Sequence, residues 1–426
     1  MLRPGDRLEL MIEKPAAGGW MIARHEGRVV LVSGAIPGEQ VAVRIERVDK
    51  RLAFAVTLDV LTPSPDRRTP PADPACGGCL FSHIELARQR ELKASIIADA
   101  FTRIGRHTLA APPFVAPSRA DGYRMRARLH VRDGRVGFYR EGTHELCDAA
   151  RTGQLHVATL PSVMRVVEGL RSHGVEPLSV EVAESVAADQ RALQIETRGT
   201  RRVPVPALEA LLDADVQSIT TLTAGGARTS VGGATIVESL ATFTGGRLNG
   251  EIRRHPESFF QGNRFLIAGL VGAVVESVLP GGGVLDLYAG VGLFALAVDQ
   301  AHDVVAVEGH PTSGADLEAN TRAAGSRVMA VVSSVEEYLD QAGSLPPTVI
   351  VDPPRTGLSR EALAALVTGT PRRLVYVSCD PATLARDARA LLDAGYQLGS
   401  VSAFDLFPNT PHVEALAVFD RSGGRA

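Results

Sequence analysis

Short runs of β-branched and other apolar residues recur in the last third of the chain, and their spacing restricts the fold more than any other feature. From about Val284 the runs are VLDLY, DVVAVE, VMAVVS, TVIVD and LVYVS. Helical or linking segments separate them, as is typical of an α/β domain with a doubly wound, Rossmann-like parallel sheet. Two further strands, VSAFDLF and EALAVF, are joined only by PNTPHV. That link is too short for a crossover helix, so it predicts an antiparallel pair at one edge.

Ligands of such sheets bind beyond the carboxyl ends of the strands, so the residues that end each strand are the candidate site residues. The first strand runs into YAGVG, where Gly290 and Gly292 permit a tight turn close to a ligand. The second strand ends in Glu308, which is placed to accept hydrogen bonds from a ribose. This pattern indicates a cofactor that contains adenosine. It does not separate NAD from S-adenosylmethionine.

The fourth and fifth strands end in Asp352 and just before Cys379. Two prolines after Asp352 fix the backbone of the loop DPPR. Asp380 and Pro381 are typical of the start of a helix, and a thiol at a helix N-terminus is expected to be stabilised as the thiolate. Glu414 opens the last strand and could direct a carboxylate towards the same crevice. A buried apolar role for Cys379 and a surface role for Glu414 are the simpler alternatives.

A thiolate, a carboxylate and an adenosine cofactor together fit one reaction especially well. C5 of uracil is too weak a nucleophile to take a methyl group unaided. Addition of a thiolate at C6 makes C5 electron-rich, and a base must then remove the C5 proton so that the thiolate can leave. The residues at the strand ends therefore favour an enzyme that methylates a pyrimidine through a covalent adduct.

The N-terminal part of the chain has a different pattern. Residues 1–62 contain short alternating strands with Gly/Pro turns, which indicates a small barrel of the oligonucleotide-binding kind. Further on, residues 119–140 hold seven arginines against two aspartates, interleaved with aromatic residues. On strands these arginines would share one face and could contact RNA phosphates, although a merely solvated face is the alternative. With 45 basic and 48 acidic residues overall, any such surface must be a local patch.

The motifs FFQGN, DLYAGVG, VDPPRTGL, VYVSCDPATLARD and FPNTPHVEALAVF together resemble the S-adenosylmethionine-dependent RNA 5-methyluridine methyltransferases. The segment from GWMIARHEGRVV to VAVRI looks like the TRAM domain of that family, an RNA-binding barrel. The resemblance implies that Cys379 is the nucleophile and Glu414 the base. It implies that the cofactor is bound by Gln261, Tyr288, Glu308 and Asp352, beside the Gly290 turn.

Many members of that family hold a [4Fe-4S] cluster through four cysteines. Cys76, Cys79 and Cys147 match three of these positions, but Pro70 stands at the fourth and cannot be a ligand. Asp73 or an external ligand could complete a cluster, and these residues would equally suit a zinc site or a vestigial cluster site. An iron–sulfur cluster therefore stays an open expectation.

The resemblance predicts three domains: a TRAM-like barrel (1–62), a central α+β domain (63–255) and a Rossmann-like methyltransferase domain (256–426). A helix at about 84–113 is expected to pack on the catalytic domain. The predicted substrate is a uridine of 23S ribosomal RNA, with the tRNA T-loop as the alternative. A nicotinamide dehydrogenase and a non-catalytic RNA-binding protein are rival interpretations. With four cysteines, no evident signal peptide and no bilayer-spanning apolar run, we expect a cytoplasmic protein. We also expect a monomer.

Overall fold

Three large β-sheets of different construction follow one another along the chain. The computed structural model describes residues 2–299 and 303–421. Residue 1, residues 300–302 and residues 422–426 lie outside that description. They include the outer ends of the first and last predicted domains, and Gln300, the last residue of LFALAVDQ, a segment after YAGVG whose pattern predicts a helix. Among the described residues, no helix is both long enough and apolar enough to cross a membrane.

The first sheet has six strands in the order β1-β5-β6-β4-β3-β2. They are β1 (Arg7–Met11), β2 (Lys14–Pro15), β3 (Met21–His25), β4 (Arg28–Ser33), β5 (Gln40–Val48) and β6 (Leu52–Thr62). Alternate residues of these strands, such as Val41, Val43 and Ile45, point into an apolar core. The two strands that the sequence did not reveal, β2 and β3, are short or preceded by glycines.

Helix α1 (Leu86–Arg103) follows the first sheet and touches its core through Leu92, but most of its apolar side packs elsewhere. Its apolar side joins the core of the C-terminal sheet through Ile97 and Phe101. The helix ends well before the predicted residue 113. Gly105 and His107 turn back and donate backbone hydrogen bonds to the last turn of the helix, and Arg106 adopts a positive φ of 50°. The chain then forms β7 (Val115–Ala116).

Two polar contacts connect α1 to the loop between the last two strands. Nζ of Lys93 forms a fully buried salt bridge with Asp405 and donates a hydrogen bond to the Phe407 carbonyl oxygen at 3.0 Å. Gln89 both donates to the Asn409 side chain and accepts from its backbone N–H, at 3.0 and 2.8 Å. The loop that leads to Glu414 is therefore held by α1.

The second sheet has seven strands in the order β10-β9-β8-β11-β12-β13-β14. They are β8 (Arg126–Arg132), β9 (Arg135–Tyr139), β10 (Leu146–Cys147), β11 (Pro177–Glu184), β12 (Arg191–Thr197), β13 (Ser218–Thr223) and β14 (Arg228–Gly232). Helices α2 (Thr159–Ser172) and α3 (Val205–Glu209) cover its apolar face, and β15 (Ile236–Ser239), α4 (Leu240–Thr244) and β16 (Glu251–Arg254) lead out of it.

The third sheet is the parallel sheet that the recurring apolar runs predict. Its strands are β17 (Val284–Leu287), β18 (Val304–Glu308), β19 (Met329–Val332), β20 (Thr348–Val351), β21 (Arg373–Ser378), β22 (Tyr396–Phe404) and β23 (Glu414–Arg421). The flanking helices are α5 (Ile267–Ser277), α6 (Leu293–Val298), α7 (Pro311–Ala323), α8 (Val335–Gln341), α9 (Arg360–Gly369) and α10 (Pro381–Asp393). Both faces are covered, as a parallel sheet requires.

The strand order of this sheet is β19-β18-β17-β20-β21-β23-β22-β7. The predicted antiparallel pairing of β22 with β23 is confirmed, and β23 is also antiparallel to β21. The edge itself is formed by β7, which pairs parallel to β22. Two residues between prolines give no strand signal in the sequence, so this edge strand was not predicted.

Candidate active site

Cys379 and Glu414 are brought together by the antiparallel pairing of β21 and β23. Ser378 at the end of β21 lies opposite Ala415, so the next pair in register is Cys379 and Glu414. The Cys379 thiol is partly exposed, whereas Glu414 is only 2% exposed. The two side chains that the sequence placed on separate strand ends are therefore neighbours, at the carboxyl edge of the parallel strands.

The N-terminus of α10 does not stabilise the Cys379 thiolate in the expected way. Oδ1 of Asp380 accepts hydrogen bonds from the backbone N–H groups of Ala382 and Thr383, both at 2.9 Å. This side chain therefore occupies the free amides that a thiolate would use. The expectation that the N-terminus of α10 stabilises the Cys379 thiolate is therefore wrong.

The surroundings of Cys379 favour the protonated thiol in the ligand-free protein. Burial raises the pKa of Cys379 to about 11, and the nearby Glu414 carboxylate acts in the same direction. The Arg355 guanidinium opposes both effects. Burial also raises the pKa of Glu414 well above its usual range, with a further contribution from Asp352. A positive charge brought into this crevice would favour the reactive thiolate.

Arg355 is a site residue that the sequence motifs did not single out. It lies in the loop DPPR after β20, and its backbone carbonyl oxygen accepts a hydrogen bond from Thr383 at 3.2 Å. Its charge lowers the pKa of both Cys379 and Glu414. The motif itself contained this signal, because the loop that carries Asp352 must also bring the next charged residue to the same strand edge.

Asp352 lies next to Gln261, a residue from the segment before α5. The Gln261 amide nitrogen donates a hydrogen bond to Oδ2 of Asp352 at 3.1 Å. Burial raises the pKa of Asp352 to about 7, although this hydrogen bond acts in the opposite direction. Gln261 and Asp352 are both predicted to bind the cofactor, and this hydrogen bond holds them together at the end of β20.

The turn after β17 has the left-handed backbone that its glycines suggested. Tyr288, Gly290 and Gly292 have φ values of 60°, 58° and 90°. A Cβ atom at Gly292 would lie 2.6 Å from Cδ1 of Leu317, so glycine is required for α6 to pack against α7. Burial raises the pKa of the Tyr288 hydroxyl, which therefore stays protonated and can donate a hydrogen bond.

Glu308 closes the other side of this turn. Its carboxylate accepts hydrogen bonds from the backbone N–H groups of Gly290, at 2.8 Å, and of His310, at 2.6 Å. These contacts fix the side chain at the end of β18 and leave lone pairs for a ligand hydroxyl. Glu308 is therefore bonded directly to the turn that contains Tyr288 and Gly290, at the ends of β17 and β18.

A further buried carboxylate, Asp286 on β17, was not identified from the sequence. Its Oδ2 accepts a hydrogen bond from the Ala295 backbone N–H at 3.0 Å, and its Oδ1 has no partner within the described part of the chain. Burial and the charge of Asp352 raise its pKa well above the usual range. The strand edge thus concentrates acidic groups, which fits a ligand that carries positive charge.

The raised pKa of Asp352 predicts a pH-dependent stability of the ligand-free protein. Because the pKa is about 7 in the folded protein and near 4 in an unfolded chain, its stabilising contribution is complete below about pH 4 and is lost as the pH rises through about 7. We expect the melting temperature of Asp352→Asn, relative to the unmodified protein, to rise between about pH 5 and pH 8. Asp340→Asn, at an exposed position, is the control. Parallel melting curves for all three proteins would contradict the assignment.

The three cysteines of the second sheet do not fit a four-thiolate cluster. Cys76 and Cys147 are joined by a disulfide with a Cα–Cα distance of 5.8 Å. They lie close because Cys147 on β10 pairs with Phe138 of β9, while Cys76 pairs with Arg140 just after β9. Cys79 is buried, and Asp73 forms a salt bridge with Arg140 at 3.0 Å. Among the described residues no group of three or more potential metal ligands is found. Because two of these three thiols are joined in the disulfide, the structure does not support the predicted ligand set Cys76, Cys79 and Cys147.

The family model and the relatives that match this chain agree on RNA methyltransferases. Residues 345–422 match the family model described as tRNA (Uracil-5-)-methyltransferase, and residues 2–58 match the TRAM domain. The chain is 33% identical to a 23S rRNA (uracil(1939)-C(5))-methyltransferase RlmD of Chromohalobacter salexigens, over 98% of this chain and 90% of the relative. It is 31% identical to an uncharacterized RNA methyltransferase of Corynebacterium efficiens, over 99% and 96%.

The fold of this chain also resembles that of a solved structure over nearly its full length. It is the Pyrococcus abyssi tRNA (uracil-54, C5)-methyltransferase in complex with S-adenosyl-L-homocysteine. The likeness has a TM-score of 0.77 and 25% sequence identity, and it covers 96% of this chain and 99% of the other.

Proposed function

The chain belongs to the S-adenosylmethionine-dependent RNA uracil-C5 methyltransferases, and from this premise we propose that it methylates C5 of a uridine in 23S ribosomal RNA through a covalent adduct with Cys379. The observation that carries this proposal is the register of β21 and β23, which sets a partly exposed thiol beside a buried carboxylate. A nucleophile and a separate base at one strand edge are what C5 methylation of uracil requires.

In the proposed reaction, the Cys379 sulfur adds to C6 of the uracil and pushes electron density onto C5. C5 would take the methyl group that S-adenosylmethionine supplies, with S-adenosylhomocysteine as the leaving group, and Glu414 accepts the C5 proton as the bond between the Cys379 sulfur and C6 breaks. The raised pKa of Glu414 makes its carboxylate a stronger base once it is ionised. Arg355, which opposes the raised pKa of Cys379, would stabilise the thiolate before addition and after release.

S-adenosylmethionine supplies an electrophilic methyl group on a positively charged sulfur when it is bound. The residues present fit this molecule, because glycines line the turn after β17 and carboxylates surround the strand edge. We propose that Glu308 accepts hydrogen bonds from the ribose and that the Gly290 turn lies against the adenosine. Tyr288, Asp352 and Gln261 would hold the remainder of the molecule. No residue of the Cys76 region takes part in this scheme.

We propose that the RNA is held by the first two sheets, with residues 1–62 and 63–255 as binding domains and 256–426 as the catalytic domain. The alternation of β8 puts Arg128, His130 and Arg132 on its outer side. The His130 ring stacks on Tyr139 with a centroid separation of 3.6 Å. Such a surface combines phosphate contacts with a ring on which a base can stack. The target uridine would have to leave its stack to reach Cys379.

Ribosomal RNA is favoured over tRNA by the curated relative that acts on 23S rRNA. A tRNA T-loop uridine is the second candidate, favoured by the likeness to the Pyrococcus abyssi tRNA enzyme. All the groups in the proposed mechanism lie on one chain, so we propose that the enzyme acts as a monomer, on RNA in the cytoplasm.

A deletion strain tests the substrate directly. We expect mass spectrometry of its ribosomal RNA to show the loss of one 5-methyluridine from the 23S molecule, and its tRNA to be unchanged. Restoration of the gene should restore that modification. If the loss falls in the tRNA T-loop instead, the target is wrong although the reaction stands. If neither RNA loses 5-methyluridine, uracil-C5 methylation itself is wrong.

A further inference from the structure

A groove lies between the second sheet and the start of the catalytic domain, and Cys379 is not among its lining residues. Its volume is about 790 Å³, which is within the usual range for sites that bind small organic groups. We call it the interdomain groove. The residues of its lining that matter here are Arg119, Asp121, Val157, Met164, Arg264 and Phe265.

The walls of the interdomain groove are apolar and open to solvent. Val157 is 84% exposed, Met164 is 47% exposed and Phe265 is 38% exposed. Leu160 adds to the same surface. Exposed apolar side chains that gather around a cavity, rather than being scattered singly, are typical of binding sites.

The Arg119 guanidinium lies over the Phe265 ring, 4.9 Å from its centroid. No salt bridge or hydrogen bond of this guanidinium is found with any other described residue. Asp121, two residues further on, also lacks an ion pair in the described ranges and is exposed. A cation on an aromatic face without a protein counter-charge is suited to a planar, anionic ligand such as a nucleotide.

Arg264 forms the base of the groove and is held rigidly. Its side chain is 5% exposed and is fixed by hydrogen bonds to the carbonyl oxygens of Ser185 and Val186, at 3.0 and 2.7 Å, and by a salt bridge to Glu184. Its Nε is buried beneath the surface of the groove. Arg264 therefore fixes the backbone next to Phe265 and does not itself offer a donor to a ligand.

We propose that the interdomain groove binds an unstacked nucleobase that flanks the target uridine in the RNA substrate. This inference rests on the proposed function. Phe265 is four residues from Gln261 of the catalytic crevice, so the two sites are at most about 14 Å apart along the chain. The Phe265 ring and the Arg119 guanidinium provide stacking partners for the base, and the Asp121 carboxylate can accept a hydrogen bond from an amino group of the base.

An abasic scan of the RNA tests this inference. The substrate is a synthetic RNA centred on the target uridine, in which each flanking nucleotide is replaced in turn by an abasic residue. We expect one replacement to weaken binding to the unmodified enzyme about 5- to 100-fold, as the loss of one stacked base does. In Phe265→Ala and Arg119→Gln, intact RNA should bind correspondingly less tightly, and that same replacement should have little further effect. Met329→Ala, an exposed apolar residue on β19, is the matched control.

The outcomes separate the groove from the catalytic site. Formation of a stable adduct with 5-fluorouridine RNA by the unmodified enzyme reports on the proposed function alone. If the adduct forms but no abasic position depends on Phe265 or Arg119, the groove does not bind a base and a protein partner becomes the better occupant. If no RNA forms an adduct or binds, both proposals are wrong.

Discussion

The Cys379→Ala variant is expected to lose methyl transfer by more than about 10⁴-fold, the scale seen when a covalent nucleophile is removed. Without the sulfur, C5 of uracil has no means of becoming electron-rich, and the bound methyl donor cannot be used. The measurement is transfer of a labelled methyl group from S-adenosylmethionine to RNA. The same variant should form no adduct with 5-fluorouridine RNA, because fluorine cannot leave C5 as a proton and the adduct reports the sulfur–carbon bond directly.

Cys79→Ala is the matched control for that experiment. Cys79 is also a free thiol, but it is buried in the core of the second sheet and lies away from the strand edge. Its loss should leave adduct formation intact. Binding of S-adenosylmethionine to Cys379→Ala, measured by calorimetry, checks that the cofactor site is still formed. An undiminished adduct in Cys379→Ala would remove the proposed nucleophile from the mechanism.

The Glu414→Gln variant should separate the two halves of the reaction. Glutamine has nearly the same shape as the protonated glutamic acid that burial favours here, so the packing between β21 and β23 should be kept. It cannot accept the C5 proton. We therefore expect turnover to fall about 10²- to 10⁴-fold, the usual contribution of a general base. The methylated RNA should remain attached to Cys379.

That attachment is visible as a slowly migrating RNA–protein band on a denaturing gel, with ordinary uridine rather than 5-fluorouridine in the RNA. The band should require S-adenosylmethionine and should disappear when Cys379→Ala is added to Glu414→Gln. Glu361→Gln, at an exposed position in the first turn of α9, should show normal turnover and no band. Normal turnover in Glu414→Gln would show that another group removes the proton.

The segments that form the parallel strands of the third sheet could be predicted because their residues are apolar on both faces. Any parallel sheet covered by helices requires this. The same reasoning placed Asp352, Cys379 and Glu308 at the ends of strands. It could also pair β22 with β23, because the link between them is short. The sequence could not show that β23 lies between β21 and β22, and this is the arrangement that brings Glu414 beside Cys379.

The protonation state of Cys379 and the charged groups around it were harder to predict from the sequence than the strands were. A thiol before a helix suggested a thiolate, but Asp380 already occupies the free amides of α10, and burial raises the pKa of Cys379. Asp286 could not be identified because its importance depends on distances between strands, whereas Arg355 was overlooked although the DPPR loop carries it to the same strand edge. The cysteine spacing similarly suggested a cluster, whereas the disulfide depends on Cys76 and β10 lying beside the same stretch around β9.

Helix α1 has a consequence for how the protein can be divided. It precedes the second sheet in the chain, yet its apolar face lies on the third sheet, and Lys93 and Gln89 hold the loop that leads to Glu414. The transferase unit is therefore discontinuous, with the second sheet inserted into it. A polypeptide starting at residue 256 would lack both a covering helix and the edge strand β7. The second sheet and the transferase unit therefore depend on one continuous stretch of chain, and separating them at residue 256 would leave the apolar core of the third sheet uncovered on one side.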